Sequence, residues 1–444
     1  MAKAHTLIVI FGITGDLASR KLLPALANIA KAGRFDDISV LGVSRRNMSI
    51  QKIFSDSLGK TQTDSQRSLV LATDMLQMDI GNTDDYKKLH AYIKAKEKSL
   101  RGGELQILYY LSVPPSATLP IIELLGKNSL NGKNTKLLLE KPFGFDLSSS
   151  EAVIQKTAKY FSEEQVYRID HFLAKEMAQN IIVFRATNAI FNNLWDKECV
   201  EAIDIIASEK IGIEGRVHFY EQTGALRDVL QNHLMQLLAL TLMETPNTLD
   251  WHVMPQLRSM ALGQIEPADP ETSVRGQYMS YRQEASNPSS NTETFVAITV
   301  FSQDPVWAGV PIRLITGKAL SEKTTEIRVH FKKKQTFAAN TLRLRIQPNE
   351  GVEIDLWTKR PGYEREFQKM ELVFDYKAQA GDLPDAYEQV IIDAIASNKS
   401  LFASSDEVLG AWKILAPIQN AWSMGKGEII HYPPGSKFES LIKR

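Results

Sequence analysis

Short apolar stretches alternate with segments of helical pattern in the first part of the chain. The strand-like stretches are rich in leucine and β-branched residues and lie at residues 6–11, 38–43, 105–113 and 135–139. Segments such as residues 20–30 separate them and have the spacing of helices. Strands alternating with helices predict a Rossmann-like, doubly wound parallel sheet, and we place this α/β domain at residues 1–175.

The pattern changes after residue 175, where strand-like runs follow one another with few helices between them. These runs lie at residues 203–208, 294–301, 311–316, 325–331 and 341–347. They predict an α+β domain with a large, mainly antiparallel sheet over residues 176–444. Residues 226–243 are polar at their start and then apolar nearly all round, which predicts a buried helix, and the Ser- and Asn-rich residues 285–291 predict a loop.

Composition limits the classes of partner. The chain has 444 residues, 43% of them hydrophobic, which is enough for two domains with large cores. Lys plus Arg and Asp plus Glu number 52 each, so no overall field favours nucleic acid or an anionic membrane. The single cysteine, Cys199, suits a reducing compartment, and the apolar run before Gly12 is too short for a signal segment or a membrane span. We therefore expect a cytoplasmic protein without a nucleic-acid or membrane partner.

A glycine-rich turn follows the first strand. It reads Gly12-Ile13-Thr14-Gly15-Asp16-Leu17-Ala18 and leads into a helix. Such a turn lets a dinucleotide pyrophosphate approach the backbone at a helix N-terminus. The spacing GxxGxxA is not the commoner GxGxxG, so an ordinary tight turn between strand and helix is the alternative.

The end of the second strand bears on the choice of cofactor. NAD sites usually place an acid there for the ribose 2′-hydroxyl, whereas NADP sites place an arginine for the 2′-phosphate. Here Arg45 and Arg46 follow the strand, with no acid directly after it. If a dinucleotide binds, this predicts NADP; alternatively, the two arginines only solvate a loop.

A third segment, residues 168–176, combines an acid, an imidazole and an ammonium group. On a helix His171 and Lys175 would share a face and could hold a dianionic phosphate. Asp170 would point elsewhere and could orient a different group. The alternative for this segment alone is a solvated helix face.

These motifs, with several others, resemble those of the glucose-6-phosphate dehydrogenase family. The likeness covers almost the whole chain in the family's order. It is carried by residues 12–18 (GITGDLA), 139–144 (LEKPFG), 168–176 (RIDHFLAKE), 227–233 (RDVLQNH), 317–320 (GKAL), 345–350 (RIQPNE) and 384–388 (PDAYE).

The resemblance implies NADP-dependent oxidation of glucose 6-phosphate at C1 to 6-phosphogluconolactone, the first step of the oxidative pentose phosphate pathway. His233 matches the base that takes the C1 hydroxyl proton, and Asp170 matches the carboxylate that holds its imidazole. Lys141 matches a lysine between cofactor and sugar. No metal is expected, since base and nicotinamide carry the chemistry.

The resemblance also assigns the binding residues. Those matching cofactor positions are Gly12, Thr14, Gly15, Asp16, Leu17, Arg45, Tyr110 and Lys141. Those matching substrate positions are Lys21, Lys141, His171, Lys175, Glu209, Asp228, Lys318, Lys323 and Gln347. Family members associate through the second domain's sheet, so a homodimer or homotetramer is expected.

Some positions depart from the family. Phe172 stands where the family normally has a tyrosine that contacts the substrate phosphate, and Ala174 replaces a usual glycine. Lys323 replaces a usual arginine, and a basic and acidic run usual within residues 245–262 is absent. Two other functions therefore stay open: a related dehydrogenase of another sugar or sugar phosphate, and a catalytically silent NADP-binding sensor or scaffold.

Overall fold

The computed structural model describes residues 5–34, 37–59, 63–100, 103–246, 248–333, 338–376, 378 and 383–442. The chain divides into two compact units. The first comprises residues 1–144, 148–174 and 384–405, and the second comprises residues 145–147, 175–383 and 406–444.

The first unit is built on a seven-stranded sheet. Its strands are β1 (His5–Phe11), β2 (Ile38–Ser44), β3 (Thr73–Gln77), β4 (Leu105–Leu111), β5 (Thr135–Leu139), β6 (Val166–Ile169) and β15 (Phe402–Ala403). The order is β15-β6-β5-β4-β1-β2-β3, and all neighbours are parallel except the antiparallel pair β15 and β6. Every residue of β2 and β5 is buried, as expected for strands covered on both faces.

Helices connect these strands. They are α1 (Leu23–Lys31), α2 (Ile50–Leu58), α3 (Asp64–Leu71), α4 (Thr83–Ser99), α5 (Pro115–Lys127), α6 (Leu147–Ala158) and α13 (Ala386–Ile395). A π-helical turn at Ala18–Leu22 precedes α1, and a 3-10 turn at Glu163–Gln165 precedes β6. This is the doubly wound α/β architecture predicted from the alternating pattern.

Residues 384–405 return to the first unit, although a division at residue 175 assigned them to the second domain. The ammonium of Lys136, on β5, explains part of this return. It donates to the carbonyl oxygens of Ala394 and, at 3.2 Å, Ile395, at the end of α13, and to Ser397 Oγ at 2.7 Å. The strand β15 then pairs with β6. Neither contact can be read from a local sequence pattern.

The second unit contains a nine-stranded sheet. Its strands are β7 (Val200–Ser208), β8 (Val274–Tyr278), β9 (Phe295–Val300), β10 (Ile312–Gly317), β11 (Thr324–Phe331), β12 (Thr341–Gln347), β13 (Gly351–Lys359), β14 (Phe367–Asp375) and β16 (Ile429–Tyr432). The order is β14-β13-β12-β11-β7-β10-β9-β8-β16, in which only the pairs β7/β10 and β8/β16 are parallel. The predicted large and mainly antiparallel sheet is confirmed.

The helices of the second unit range in length from 4 to 19 residues. They are α7 (Glu176–Thr187), α8 (Ala189–Asn192), α9 (Val217–Ala225), α10 (Met235–Leu242), α11 (Met254–Gly263), α12 (Tyr281–Glu284), α14 (Ser405–Ser423) and α15 (Phe438–Ile442). A π-helical segment, Leu226–Leu234, runs directly into α10, and a 3-10 turn, Trp251–Val253, precedes α11. The predicted buried helix over residues 226–243 is confirmed, because every residue of α10 is buried. Among the described residues, no helix combines the length and apolar character needed to cross a membrane.

Candidate active site

Most candidate residues of the first unit lie where parallel strands of its sheet end. Gly12 follows β1, Arg45 follows β2, Lys141 comes two residues after β5, and Asp170 follows β6. Tyr110 is the last residue but one of β4. Because the carboxyl ends of parallel strands form one edge of a sheet, the fold gathers residues that are far apart in sequence, at the usual position of ligands in such sheets.

The glycine-rich turn depends on glycine for packing. Gly12 has φ of +83°, and a Cβ there would lie 2.2 Å from the carbonyl oxygen of Ser112. Its N–H donates to the carbonyl of Val43 at 3.0 Å, and the N–H of Gly15 donates to the carbonyl of Gly12 at 2.9 Å. The two glycines therefore shape the turn and leave the backbone of Thr14, Asp16 and Leu17 at the start of the following helix.

Side chains connect this turn to the end of β2. Thr14 Oγ1 lies 3.1 Å from Ser44 Oγ, which also accepts the N–H of Arg46 at 3.0 Å. Arg45, the next residue after β2, is exposed. The contact of Thr14 with Ser44 therefore brings the end of β2 next to the glycine-rich turn. Asp16, at the helix start, forms an exposed ion pair with Arg20 at 2.7 Å.

The buried Tyr110 and the half-buried Glu140 form a pair that the sequence did not single out. The Tyr110 hydroxyl donates to Glu140 Oε1 at 2.6 Å. Burial raises the pKa of Glu140 to about 7, assisted by the Asp170 carboxylate and opposed by the Tyr110 hydrogen bond and the charge of Lys141. Burial likewise raises the pKa of Tyr110 well above its usual value. The LEKPFG motif contains Glu140, but only the structure reveals its partner.

Residues 171–174 form a turn, so the prediction that His171 and Lys175 share a helix face is wrong. Asp170 Oδ1 accepts the N–H of Phe172 at 2.9 Å, and the Asp170 carbonyl accepts the N–H of Leu173 at 3.1 Å. A short acidic side chain that bonds the backbone two residues ahead favours a turn over a helix. Helix α7 begins only at Glu176, after the extended Lys175.

Two residues of the PDAYE motif contact candidate residues within the first unit. Tyr387 lies nearly parallel to the His171 ring, with centroids 6.3 Å apart, and Lys21 lies 5.9 Å from the Tyr387 ring centroid. Lys21 also forms an ion pair with Asp385 at 2.9 Å. The sequence alone indicates no role for the PDAYE motif. Its roles depend on residues 384–405 packing in the first unit.

In the second unit, Asp228 and His233 lie on the π-helical segment Leu226–Leu234. The side chain of His233 is buried, with only 3% of the residue exposed. The backbone N–H of His233 donates to Asn232 Oδ1 at 2.7 Å. The segment packs against β7, β9 and β10 of the large sheet. π-Helical turns are uncommon and occur frequently at functional sites, because they shift side chains relative to an α-helix.

Glu209, Asp228 and Lys318 lie around one buried tyrosine, Tyr220. Lys318, which is 3% exposed, forms an ion pair with Glu209, and its ammonium lies 5.4 Å from the Tyr220 ring centroid. Burial raises the pKa of Tyr220 well above its usual value, and the nearby Asp228 and Glu209 carboxylates add to the effect. The structure thus brings these three predicted residues together around a tyrosine that no sequence motif indicates.

Three other predicted residues lie elsewhere in the second unit. Gln347, the last residue of β12, donates through Nε2 to Thr325 Oγ1 at 3.2 Å, and Lys323 is exposed just before β11. Lys175 precedes α7, whose second residue, Met177, donates its N–H to Glu350 Oε2 at 2.8 Å. Burial raises the pKa of Glu350, and the Met177 hydrogen bond and the Lys175 charge oppose that rise.

Comparison with known proteins covers both units. The model of the NAD binding domain of glucose-6-phosphate dehydrogenase matches residues 9–180, and that of the C-terminal domain matches residues 182–440. Glucose-6-phosphate 1-dehydrogenase of Borreliella burgdorferi is 36% identical, over 97% of this chain and 94% of its own length. The cytoplasmic glucose-6-phosphate 1-dehydrogenase 5 of Arabidopsis thaliana is 33% identical, over 97% of this chain and 88% of its own.

A solved structure gives the same picture. A glucose-6-phosphate dehydrogenase in complex with glucose 6-phosphate superposes with a TM-score of 0.93 at 30% identity, covering 99% of this chain and 98% of that one. The likeness therefore extends over both units.

Proposed function

Because the chain belongs to the glucose-6-phosphate dehydrogenase family, we propose that it oxidises glucose 6-phosphate at C1 to 6-phosphogluconolactone with NADP, the first step of the oxidative pentose phosphate pathway. One observation carries the proposal: the family's two domain models match consecutively over residues 9–440, a range whose sequence contains Lys141, Asp170 and His233. A catalytically silent sensor would have no reason to keep these three together.

In this proposal His233 is the general base. Its imidazole takes the proton of the C1 hydroxyl, and the Asp170 carboxylate fixes the ring tautomer and stabilises the imidazolium that forms. The bound nicotinamide accepts the hydride that C1 loses. Burial of His233 supports this role, since a buried imidazole has little freedom to change its orientation.

The remaining polar residues bind and orient the sugar phosphate. His171 and Lys175 hold the phosphate, and Glu209 and Asp228 accept hydrogen bonds from sugar hydroxyls. Lys21, Lys141, Lys318, Lys323 and Gln347 complete the proposed substrate contacts. The ion pair of Lys318 with Glu209 supports a paired role, because each side chain orients the other before substrate arrives.

The first unit fits a dinucleotide. The backbone of Gly12 lies so close to Ser112 that only glycine fits there. The turn that it forms leads into a helix, whose N-terminus can bind a pyrophosphate. Arg45 is exposed directly after β2, and an arginine after the second strand supports NADP over NAD. Tyr110 and Lys141 would lie along the cofactor.

We also propose a homodimer or homotetramer in the cytoplasm. The edge strand β14 exposes apolar side chains, among them Leu372 at 57% and Val373 at 56%. An exposed apolar edge strand is an aggregation hazard unless something covers it, and a second copy would do so. Val373→Lys should lower the sedimentation coefficient, whereas Val306→Lys, at a valine that is 46% exposed away from this strand, should not.

Initial rates test the proposed activity. Purified protein is assayed by the absorbance of the reduced cofactor with glucose 6-phosphate, galactose 6-phosphate and glucose, each with NADP and with NAD. We expect the highest kcat/KM for glucose 6-phosphate with NADP. A higher value for another sugar would favour the related dehydrogenase, and no turnover with any of them would leave the silent sensor.

A further inference from the structure

The helix that carries His233 is tied at its C-terminal end by three side chains. The last carbonyl groups of a helix have no partners within it. Here Arg185 donates to the carbonyls of Leu240 at 2.9 Å and Met243 at 2.7 Å. Trp195 Nε1 donates to the Thr241 carbonyl at 2.8 Å, and Trp307 Nε1 donates to the Leu242 carbonyl at 3.1 Å. Four consecutive carbonyls are therefore each bound by a side chain.

Arg185 is unusual among these donors because it is a buried cation. It is 5% exposed, its guanidinium lies 5.3 Å from the Trp195 ring centroid, and among the described residues no carboxylate pairs with it. Burial lowers the pKa of Arg185 to about 9, which still leaves it charged at neutral pH. The partial negative charge of a helix C-terminus is then its main electrostatic compensation.

The other end of the same helix meets a buried acid. Glu293, which is 8% exposed, accepts the N–H of Leu226 through Oε1 at 3.0 Å, and its carbonyl accepts the N–H of Ala225 at 2.9 Å. Gly224 makes room for this contact, because a Cβ there would lie 2.2 Å from Glu293 Oε1. An acceptor side chain at the helix start and donor side chains at its end thus bind backbone groups that have no partner within the helix.

We infer that Arg185 is a positioning residue for His233, acting with Trp195 and Trp307 to hold the helix in register along its axis. His233 lies about two helical turns before Leu240. A shift of the helix along its axis would therefore also move the buried imidazole of His233. A general base displaced by about 1 Å can lose up to about 100-fold in rate. The inference rests on the proposed role of His233 as the base.

The experiment replaces Arg185 and compares it with a matched arginine. Arg275 is 8% exposed, donates to the carbonyls of Lys426 and Gly427 at 3.1 and 2.7 Å, and lies 5.3 Å from the Trp422 ring centroid. It thus offers the same kind of buried site away from the end of the His233 helix. Arg185→Lys keeps the charge but loses the planar fork, Arg185→Met loses both, and Arg275→Lys controls for general loss of stability.

We expect kcat to fall about tenfold in Arg185→Lys and further in Arg185→Met, with KM values within about twofold of wild type, while Arg275→Lys keeps its kcat. Amide hydrogen exchange over residues 239–243 should rise only in the Arg185 variants. If exchange rises there and kcat does not fall, or if Arg275→Lys loses as much kcat, the inference is overturned.

Exchange does not depend on turnover, so it separates this inference from the proposed function. Failure of wild-type protein to oxidise glucose 6-phosphate would refute the function. Unchanged amide hydrogen exchange in the Arg185 variants would refute the inference that Arg185 holds the end of the helix, whatever their activity.

Discussion

The two units place their candidate residues by different rules. In the first unit nearly all of them follow parallel strands and therefore meet at one edge of the sheet. In the second unit they lie on a π-helical segment, on or beside the strands β7, β10, β11 and β12, and just before a helix. The first arrangement follows from topology, whereas the second depends on individual buried contacts such as that of Lys318 with Glu209. We expect substitutions of candidate residues in both units to lower activity.

The largest expected effect is in the second unit. His233→Asn should lower kcat by about 10² to 10⁴-fold with little change in KM, because a general base is lost while the binding groups remain. Steady-state kinetics with glucose 6-phosphate measure it. His252→Asn, at an exposed histidine of the same unit, should behave as wild type. Equal rates in the two variants would remove His233 from the mechanism.

Next comes its proposed partner in the first unit. Asp170→Asn should lower kcat by about 10 to 100-fold, because the amide can still accept the Phe172 N–H but cannot stabilise an imidazolium. Asp304 accepts the N–H of Val306 at 2.9 Å in the same local geometry, so Asp304→Asn is the matched control. A loss of the same size in the control would assign the effect to the turn and not to the charge.

The cofactor edge of the first unit should respond in KM. Arg45→Ala should raise the KM for NADP by about tenfold or more and leave the KM for NAD unaltered, since a charged hydrogen bond to phosphate contributes about 1.5–3 kcal/mol. Arg46→Ala, one residue further on, should have a smaller effect. An unchanged ratio of kcat/KM for the two cofactors in Arg45→Ala would contradict the NADP assignment.

A smaller gain is expected at Phe172. This ring is 5% exposed and edge-on to His171, with centroids 5.1 Å apart. Phe172→Tyr restores the family's hydroxyl and should lower the KM for glucose 6-phosphate by about tenfold at unchanged kcat. Phe301→Tyr, at a ring that is 40% exposed, is the control. If the KM of Phe172→Tyr equals that of wild type, the missing hydroxyl has no part in phosphate binding.

The smallest effect concerns the pH dependence of stability. Burial raises the pKa of Glu140 to about 7. At pH values between the ordinary pKa of a glutamate and about 7, the folded protein therefore binds a proton that the unfolded chain has released. The free energy of unfolding therefore falls as pH rises through this window, by about 1–2 kcal/mol after allowance for partial exposure. Glu140→Gln should abolish that fall in urea titrations at pH 5 and 8, and Glu104→Gln, at an exposed acid, should keep it.

Much of the fold could be predicted from the sequence. The runs that became β1, β2, β4 and β5, and those that became β7, β9, β10, β11 and β12, have strand patterns because their side chains are buried in the expected alternation or on both faces. The sequence pattern did not predict seven strands, namely β3, β6, β8, β13, β14, β15 and β16, although β14 is apolar in part. Short strands of mixed polarity give little periodic signal.

The candidate site was predicted mainly through the family motifs. Residue types alone could suggest a phosphate ligand at His171, but they placed it on a helix, because the spacing to Lys175 fits one and the turn made by Asp170 does not show in a hydrophobic pattern. Partners such as Glu140 for Tyr110 and Tyr220 for Lys318 depend on long-range packing. No local pattern encodes contacts of that kind.

The return of residues 384–405 to the first unit has a consequence for biosynthesis. During translation the ribosome releases β6 long before β15 and α13 exist, so the growing polypeptide carries an unpaired sheet edge and an uncapped Lys136 while more than two hundred further residues are made. The nascent amino-terminal part can therefore complete its sheet only near the end of synthesis.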